Sequence, residues 1–420
     1  MTALATPAEK LADLDFEALA GRFGTPLFVY DLDAIDRQVA ALRAILPARF
    51  ALAYAVKANP ALGIVGHLGR LGLGADVASG GELATANRAG IPPDRIVFTG
   101  PGKRDDELEQ AVIAGLRAIT VESLGELARV ESLSARFRVR TPVLLRLAVD
   151  GNVGDKFGID PSDLARVAMA AVKSAHIRLL GLHAFGASNV LDAEVLAAHA
   201  ERTMAVAREI IERVRTHGDP AHGLDTIDIG GGLGLPYASD RTPLDLAALG
   251  RRLAALDDAW REDSTTADTH VLLEPGRFLV GPAGFFLTRV IERKVIAGRA
   301  VVIVDGGIHN LLRPALAGEP HRIVRIGAPE DTGAGEAFTV AGPLCSGLDA
   351  LARDVSLDRA EPGDLLAVLD TGAYGYTESM PLFLSHPMPA EVALSGGRTV
   401  LLRPRIEPET WLAQQLDPGW

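Results

Sequence analysis

Cysteine is almost absent from this chain. The single one, Cys345, excludes an internal disulfide and fits a reducing compartment. Lysine is scarce as well, with six residues, at 10, 57, 103, 156, 173 and 294. Positive charge is outweighed, 42 Lys and Arg against 54 Asp and Glu, for a net charge of −12. No basic stripe offsets that balance, which argues against nucleic acid as a partner. No apolar run approaches the length of a membrane-spanning helix. The segment Met1 to Phe23 lacks a basic region followed by an apolar block, so it does not read as a signal peptide. Together these absences predict a cytoplasmic protein.

What is present is a large apolar inventory. Hydrophobic residues make up 48% of 420 residues, ample for a large core, and the length suggests two or three domains, although barrels run large. Residues 51–274 alternate short apolar runs with Ala/Leu/Glu/Arg stretches of helical period. The runs fall at 51–56, 73–77, 95–99, 118–121, 142–149, 179–184, 225–230 and 270–274; the helical stretches include 81–89, 105–114, 123–133, 161–174, 192–216 and 244–262. Eight such units in roughly 250 residues predict an α/β protein built on a (β/α)8 TIM-like barrel, with a doubly wound sheet as the competing reading. After residue 280 the helical period fades. Short β-rich runs at 301–304, 337–340, 365–369 and 399–402, divided by Gly, Pro and Asp, predict a mostly antiparallel β domain. The expected division is a barrel over 30–280 and a β domain over 281–420. Residues 1–29 are free to contribute to the latter, since 26–31 read as a strand ahead of the barrel.

Lys57 is the only lysine directly after an apolar strand signal, in Phe50-Ala51-Leu52-Ala53-Tyr54-Ala55-Val56-Lys57-Ala58-Asn59-Pro60. An amine fixed and partly desolvated at a strand end suits Schiff-base chemistry; the alternative is a lysine snorkelling to solvent. Asp76 and Ser79 follow the second strand, His183 the sixth, Gly230-Gly231-Gly232 the seventh and Glu274 the eighth. That rim is where barrels keep their sites. The glycines suit an anion-binding loop, or are a flexible turn. Glu274 with Arg277 suits a proton on a pyridine nitrogen and a phosphate, or is a surface ion pair. His183 suits stacking or proton transfer, or is a core histidine. In the second domain Cys345 occupies a polar turn and Tyr374 sits between small residues; each reads equally as functional or as ordinary packing.

With these residues assembled, the sequence resembles the fold type III (alanine racemase-fold) PLP-dependent decarboxylases, which include diaminopimelate, ornithine and arginine decarboxylases. The resemblance spans nearly the whole chain and rests on YAVKANP at 54–60, GADVASGGEL at 74–83, DKFGI at 155–159, GGGLG at 230–234, EPGR at 274–277, GPLC at 342–345 and GAYG at 372–375. It implies pyridoxal 5′-phosphate as cofactor, carried by Lys57, with Asp76 and Ser79 near it and His183 on the ring. It places Glu274 at the pyridine nitrogen, and Ser188, Gly231, Gly232, Gly276, Arg277 and Tyr374 around the phosphate. It further implies a homodimer with shared active sites, in which Cys345 comes from the partner chain as a proton donor. No metal is expected. A carboxylate at the ring nitrogen favours decarboxylation; racemases of this fold place an arginine there.

Arg313, Ser346 and Tyr374 are the candidate substrate contacts. Diaminopimelate decarboxylases usually carry a glutamate directly after the cysteine and a tyrosine shortly after the arginine; here Ser346 and Ala317 occupy those places. The family's HIGSQ stretch is longer here, from His183 to Asn189, and Ser188 is its matched serine. GPLCSGLDALARD and GAYGYTESMPLFLSHPMPAEV are more similar to a side branch. That branch holds exosortase-associated decarboxylases and the butirosin-pathway enzyme acting on glutamate tethered to an acyl carrier protein. The resemblance thus implies an amino-acid substrate, free or carrier-borne, in specialised metabolism. The alternatives are housekeeping diaminopimelate decarboxylase, a non-enzymatic PLP carrier, which would lack the C-terminal third, and a lysine aldolase, which would need neither the glycine loop nor Glu274.

Overall fold

The computed structural model describes residues 14–149, 156–238, 240–327 and 335–419. These form two compact units. One comprises 39–235 and 244–278; the other takes the chain up to 38, residues 236–243 and everything from 279. After a first strand, β1 (Leu27–Asp31), the chain enters the first unit. There β2 (Phe50–Ala55), β3 (Gly74–Val77), β4 (Ile96–Phe98), β5 (Ala118–Val121), β6 (Thr141–Leu147), β7 (Ile177–Ala184), β8 (Thr226–Asp228) and β9 (His270–Leu273) form a closed parallel barrel. Closure is explicit in the register, because β9 returns to β2 through Phe50↔Val271, Ala51↔Leu272 and Leu52↔Leu273. That pairing excludes the open, doubly wound alternative.

The strands read as unbroken apolar runs because both of their faces are covered. Inside, Ala53, Val97, Ala118, Leu144, Leu180 and Leu272 from six strands form one buried cluster. Outside, the connecting helices bury one stripe each. Pro161–Lys173, for example, buries Leu164, Val167, Ala168 and Ala171, is capped by Asp160 and starts on a proline.

The second unit is a mostly antiparallel sheet. Its strands are β10 (Gly284–Ile296), β11 (Arg299–Val304), β12 (Ile323–Arg325), β13 (Glu336–Ala341), β14 (Ala350–Leu357), β15 (Leu365–Leu369), β16 (Ala390–Ser395) and β17 (Arg398–Arg403). β1 lies in this sheet too, antiparallel to β10 and parallel to β16. One face alternates strictly: Leu27 and Val29, Phe285 and Leu287, Leu365, Ala367 and Leu369, Ala390 and Val392 all point under the helix Phe16–Phe23. Each large aliphatic or aromatic side chain so buried stabilises the sheet by about 1.5–3 kcal/mol. Among the described residues no helix is long and apolar enough to cross a membrane.

Candidate active site

β2 runs into one 3-10 turn, Val56–Ala58, and stops at Pro60, which has no N–H to donate. The Tyr54 hydroxyl donates to the Asn59 carbonyl at 3.0 Å, and Asn59 Oδ1 accepts from the Ala61 amide at 3.1 Å. The motif thus builds a pinned turn from which Lys57 projects, its Nζ 3.6 Å from Asp76 Oδ2. The Lys57 side chain is 46% exposed while that of Asp76 is buried, so the amine is reachable and its counter-charge is fixed. Burial first, and then the charge of Glu274, raise the Asp76 carboxyl above its ordinary value; Lys57 and the Thr99 hydroxyl, 2.5 Å away, oppose them. Lys103 is the instructive contrast. Its Nζ donates to Gly100 O and Thr120 O at 2.7 Å and to Glu126 Oε1 at 3.0 Å, and its side chain is sealed from solvent. All three ammonium donors are spent, so it is a structural cation.

Ser79 caps the helix Gly80–Arg88: its Oγ accepts from the Glu82 amide at 3.1 Å, and Glu82 Oε2 accepts from the Ala78 amide at 2.7 Å. The serine and glutamate of GADVASGGEL therefore work as a cap that orients the turn after Asp76.

His183 on β7, Asp228 at the end of β8 and Glu274 just past β9 converge. One potential ligand atom from each lies within 4.8 Å of the other two. His183 Nε2 is 3.3 Å from Glu274 Oε2, and both residues are buried. Burial opposes ionisation of Glu274, yet the His183 charge and hydrogen bond, aided by Lys57, hold its carboxyl down to about 2. Glu274 Oε1 and His183 Nδ1 are buried with no protein partner.

The glycine loop follows β8. A Cβ on Gly231 would sit 2.2 Å from the Glu274 carbonyl oxygen, and Gly232, at φ +92°, would place one 2.4 Å from the Ala187 carbonyl. Only glycine allows the loop to pass this close to its neighbours. It is zipped to the segment after β7 by Val190 N→Gly232 O at 2.8 Å and Leu235 N→Asn189 Oδ1 at 2.8 Å. Among the described residues, the amides of Gly231 and Gly232 donate to no protein acceptor. Arg277 is buried and donates from Nη2 to Ser188 Oγ at 3.3 Å. Gly276 is packed against Ala55 and Ala58 of the lysine turn. Glu274 and Arg277 are each 5% exposed, which removes the surface ion-pair reading.

In the other unit, Arg313 stacks 4.9 Å from the Tyr374 ring. Its guanidinium is held between two carboxylates, Nε to Glu319 Oε2 at 3.0 Å and Nη1 to Glu378 Oε1 at 3.1 Å. Cys345 is exposed in the turn 342–349, and Ser346 Oγ accepts from the Leu348 amide at 3.2 Å. Asp349 organises this turn by accepting from Ile308 N at 2.8 Å and Leu344 N at 2.7 Å. Of the DKFGI motif, Asp155 lies outside the described residues. Gly158 donates its amide to Glu122 Oε2 at 2.9 Å. A cavity of about 480 Å³ opens at the opposite, N-terminal ends of the barrel strands, lined by Arg43, Arg95 and Arg117 among others; Lys57, Asp76, His183, Glu274 and Arg277 are not in its lining.

Residues 32–281 match the family described as pyridoxal-dependent decarboxylase, pyridoxal binding domain. The chain belongs to this family. It is 34% identical, over 97% of each chain, to an L-glutamyl-[BtrI acyl-carrier protein] decarboxylase from Niallia circulans. It is 35% identical to a diaminopimelate decarboxylase from Methanothermobacter thermautotrophicus, over 93% of this chain and 91% of that one. Among solved structures, diaminopimelate decarboxylase from M. jannaschii in complex with L-lysine superposes with a TM-score of 0.88 at 28% identity, covering 96% of this chain and 95% of that one.

The decarboxylase's own residues fit pyridoxal phosphate. A reachable lysine, a buried carboxylate with an uncommitted oxygen, and two adjacent uncommitted amides beside a buried arginine answer the cofactor's aldehyde, ring nitrogen and phosphate in turn. Sequence reasoning missed several residues. Thr99, Asp349, Glu319 and Glu378 hold other site residues and give no local signal. Asp228 gave one: it is the polar interruption in Thr226-Ile227-Asp228-Ile229, directly before the glycines.

Proposed function

We propose that this enzyme decarboxylates an amino acid presented as a carrier-tethered thioester, through pyridoxal phosphate held by Lys57. The observation that carries the decarboxylase reading is the Lys57–Asp76 and His183–Glu274 pairing at adjoining strand ends of one barrel rim. Bound there, the cofactor supplies an electron sink for the pair left behind when CO2 departs. Glu274 would keep a proton on the ring nitrogen, Arg277 with the Gly231 and Gly232 amides would hold the phosphate, and His183 would pack on the ring. Cys345 would then deliver a proton from Sγ to the substrate Cα. The purified enzyme is expected to show a visible absorbance that borohydride bleaches while fixing the cofactor to Lys57. Peptide mapping that found the label on Lys103 or another lysine would sink the assignment. A CO2-release screen across free and carrier-tethered amino acids tests the reaction itself.

The thioester reading is supported by Arg313. If Arg313, Tyr374 and Ser346 contact the substrate, as the resemblance implies, the arginine meets it already neutralised by Glu319 and Glu378. A distal carboxylate would have to displace a glutamate, and a distal ammonium finds Ser346 where a carboxylate would be needed. An uncharged far end suits this surface best. Diaminopimelate remains the second reading, favoured by the relatives that carry that name.

The exposure of the only thiol supports a site completed across a homodimer. Lys57→Ala and Cys345→Ala are each expected to be nearly inactive. Mixed and reassociated, they should recover up to about a quarter of wild-type activity, because half of the sites in half of the dimers are intact. No recovery despite demonstrated subunit exchange would put both residues in one chain.

A further inference from the structure

Asp228 is a fully buried carboxyl group for which the scheme above has no use. It ends β8, the strand between β7 and β9, and its register partners are His183 and Leu272. One oxygen is explained: Oδ1 accepts from the Gly230 amide at 2.9 Å and helps turn the chain into the glycine loop. The other, Oδ2, is buried with no partner, as is Glu274 Oε1, and the two residues belong to the same 4.8 Å cluster. Two carboxylates cannot both stay charged at that separation in a site closed to water; such a pair holds one proton. The cations decide which member keeps it. His183 and Lys57 hold Glu274 in its charged form, whereas on Asp228 the charges of Glu274 and Asp76 add to burial and outweigh the Gly230 hydrogen bond.

We propose that Asp228 is a positioning residue that stays protonated at neutral pH, whose carboxylic O–H donates to Glu274 and so fixes Glu274 as the one anion of the trio. Burial, followed by the charge of Glu274, pushes the Asp228 carboxyl well above its ordinary value, in keeping with this assignment. Glu274 then has acceptor sites for His183, Asp228 and a ring nitrogen at once, since an ionised carboxylate offers about four. Asp228 thereby shapes the carboxylate without touching the reacting atoms. The other charged groups acting on the trio are Asp76, Lys57 and, one step out, Glu82 and His199. The meaning of this proton for catalysis rests on the proposed role of Glu274. Its existence does not, because the trio belongs to the chain alone.

The test uses the full-length chain with and without cofactor. Infrared spectra at neutral pH should show the C=O stretch of a neutral carboxylic acid, separate from carboxylate bands and lost in Asp228→Asn. That variant keeps both an acceptor for Gly230 and a neutral donor for Glu274, so it should fold. Its melting temperature relative to wild type should rise with pH. A raised folded-state value means that wild type must hold a proton the unfolded chain releases, so its stability drains away as pH climbs above the ordinary carboxyl range, and the amide is spared this. The gap should widen by about 1–2 °C per pH unit from about pH 5 upward, until the buried acid itself ionises. Asp228→Ala, with no donor, should melt below wild type throughout. Should Asp228→Asn fail to fold, Glu274→Gln reads the same pair, because losing the carboxylate acceptor must move the acid band to higher frequency. An acid band absent at neutral pH, or unmoved by both variants, would overturn the proposal. So would a melting temperature raised by a divalent cation and not in Asp228→Asn, which would make the trio a charged metal site.

Discussion

Offered meso-diaminopimelate and a carrier-tethered glutamyl thioester side by side, the enzyme is expected to favour the thioester by about 10⁴-fold in kcat/KM, the scale on which a missing polar partner discriminates. The distal carbon of diaminopimelate carries an ammonium and a carboxylate together, so a contact that attracts one brings the other. Ser346 offers the ammonium no charge, and Ala317 has no hydroxyl. If Arg313 lines the pocket, the carboxylate meets a guanidinium already bonded to Glu319 and Glu378. Stripping water from both groups without paired partners costs about 2–5 kcal/mol. Ornithine and lysine, with a distal ammonium only, should fall between. Glu378→Gln should improve substrates with an acidic far end by freeing part of Arg313. Turnover of meso-diaminopimelate at roughly 10⁴ M⁻¹s⁻¹ or above would return the chain to the lysine-forming reading.

Glu274→Gln is expected to keep its cofactor and lose about 10²-fold or more in kcat, as removal of one preorganised electrostatic contact does. Glutamine retains the shape and an acceptor oxygen but not the charge. In the chain without cofactor, His183 first and then Lys57 hold that carboxyl down, to about 2, in spite of its burial. The measurement is turnover per cofactor bound, with the visible spectrum reporting occupancy. Unchanged turnover in a fully loaded variant would reject the electron-sink role for Glu274.

The barrel was legible because its physics is local. Parallel strands covered on both faces become plain apolar runs, and the helices between them keep a 3.6-residue stripe; all eight expected runs became strands, Val97 and Leu272 among their inward residues. The β domain was harder to read. β10 is 13 residues long, with its first half buried and its second half largely exposed, so neither an apolar run nor an alternation describes it whole. β14 carries Arg353, Asp354 and Ser356 and resembles a loop in composition. At the site, Lys57, Glu274 and His183 were visible because strand ends on one rim are marked by the apolar runs before them. Thr99 and Glu378 were not, since their contacts to Asp76 and Arg313 bridge 23 and 65 residues and leave no periodic trace. Arg313 was legible as a candidate substrate contact, but its bonds to Glu319 and Glu378 were not.

β1 occupies the interior of a sheet whose other strands come from the far end of the chain; Tyr30 hydrogen-bonds Glu391, 361 residues later. During synthesis this strand leaves the ribosome early and its second partner, β16, nearly last. At ordinary translation rates that is a wait of roughly tens of seconds. Until β10 is made Leu27, Phe28 and Val29 have neither edge paired, and until β16 is made one edge stays open, a stretch that is natural prey for chaperones or for a neighbouring nascent chain. The barrel segment can close meanwhile, since its strands pair in the order they are made. Cys345, Arg313 and Tyr374 belong to the unit that finishes last, so a truncated chain can hold a formed barrel without any of the three.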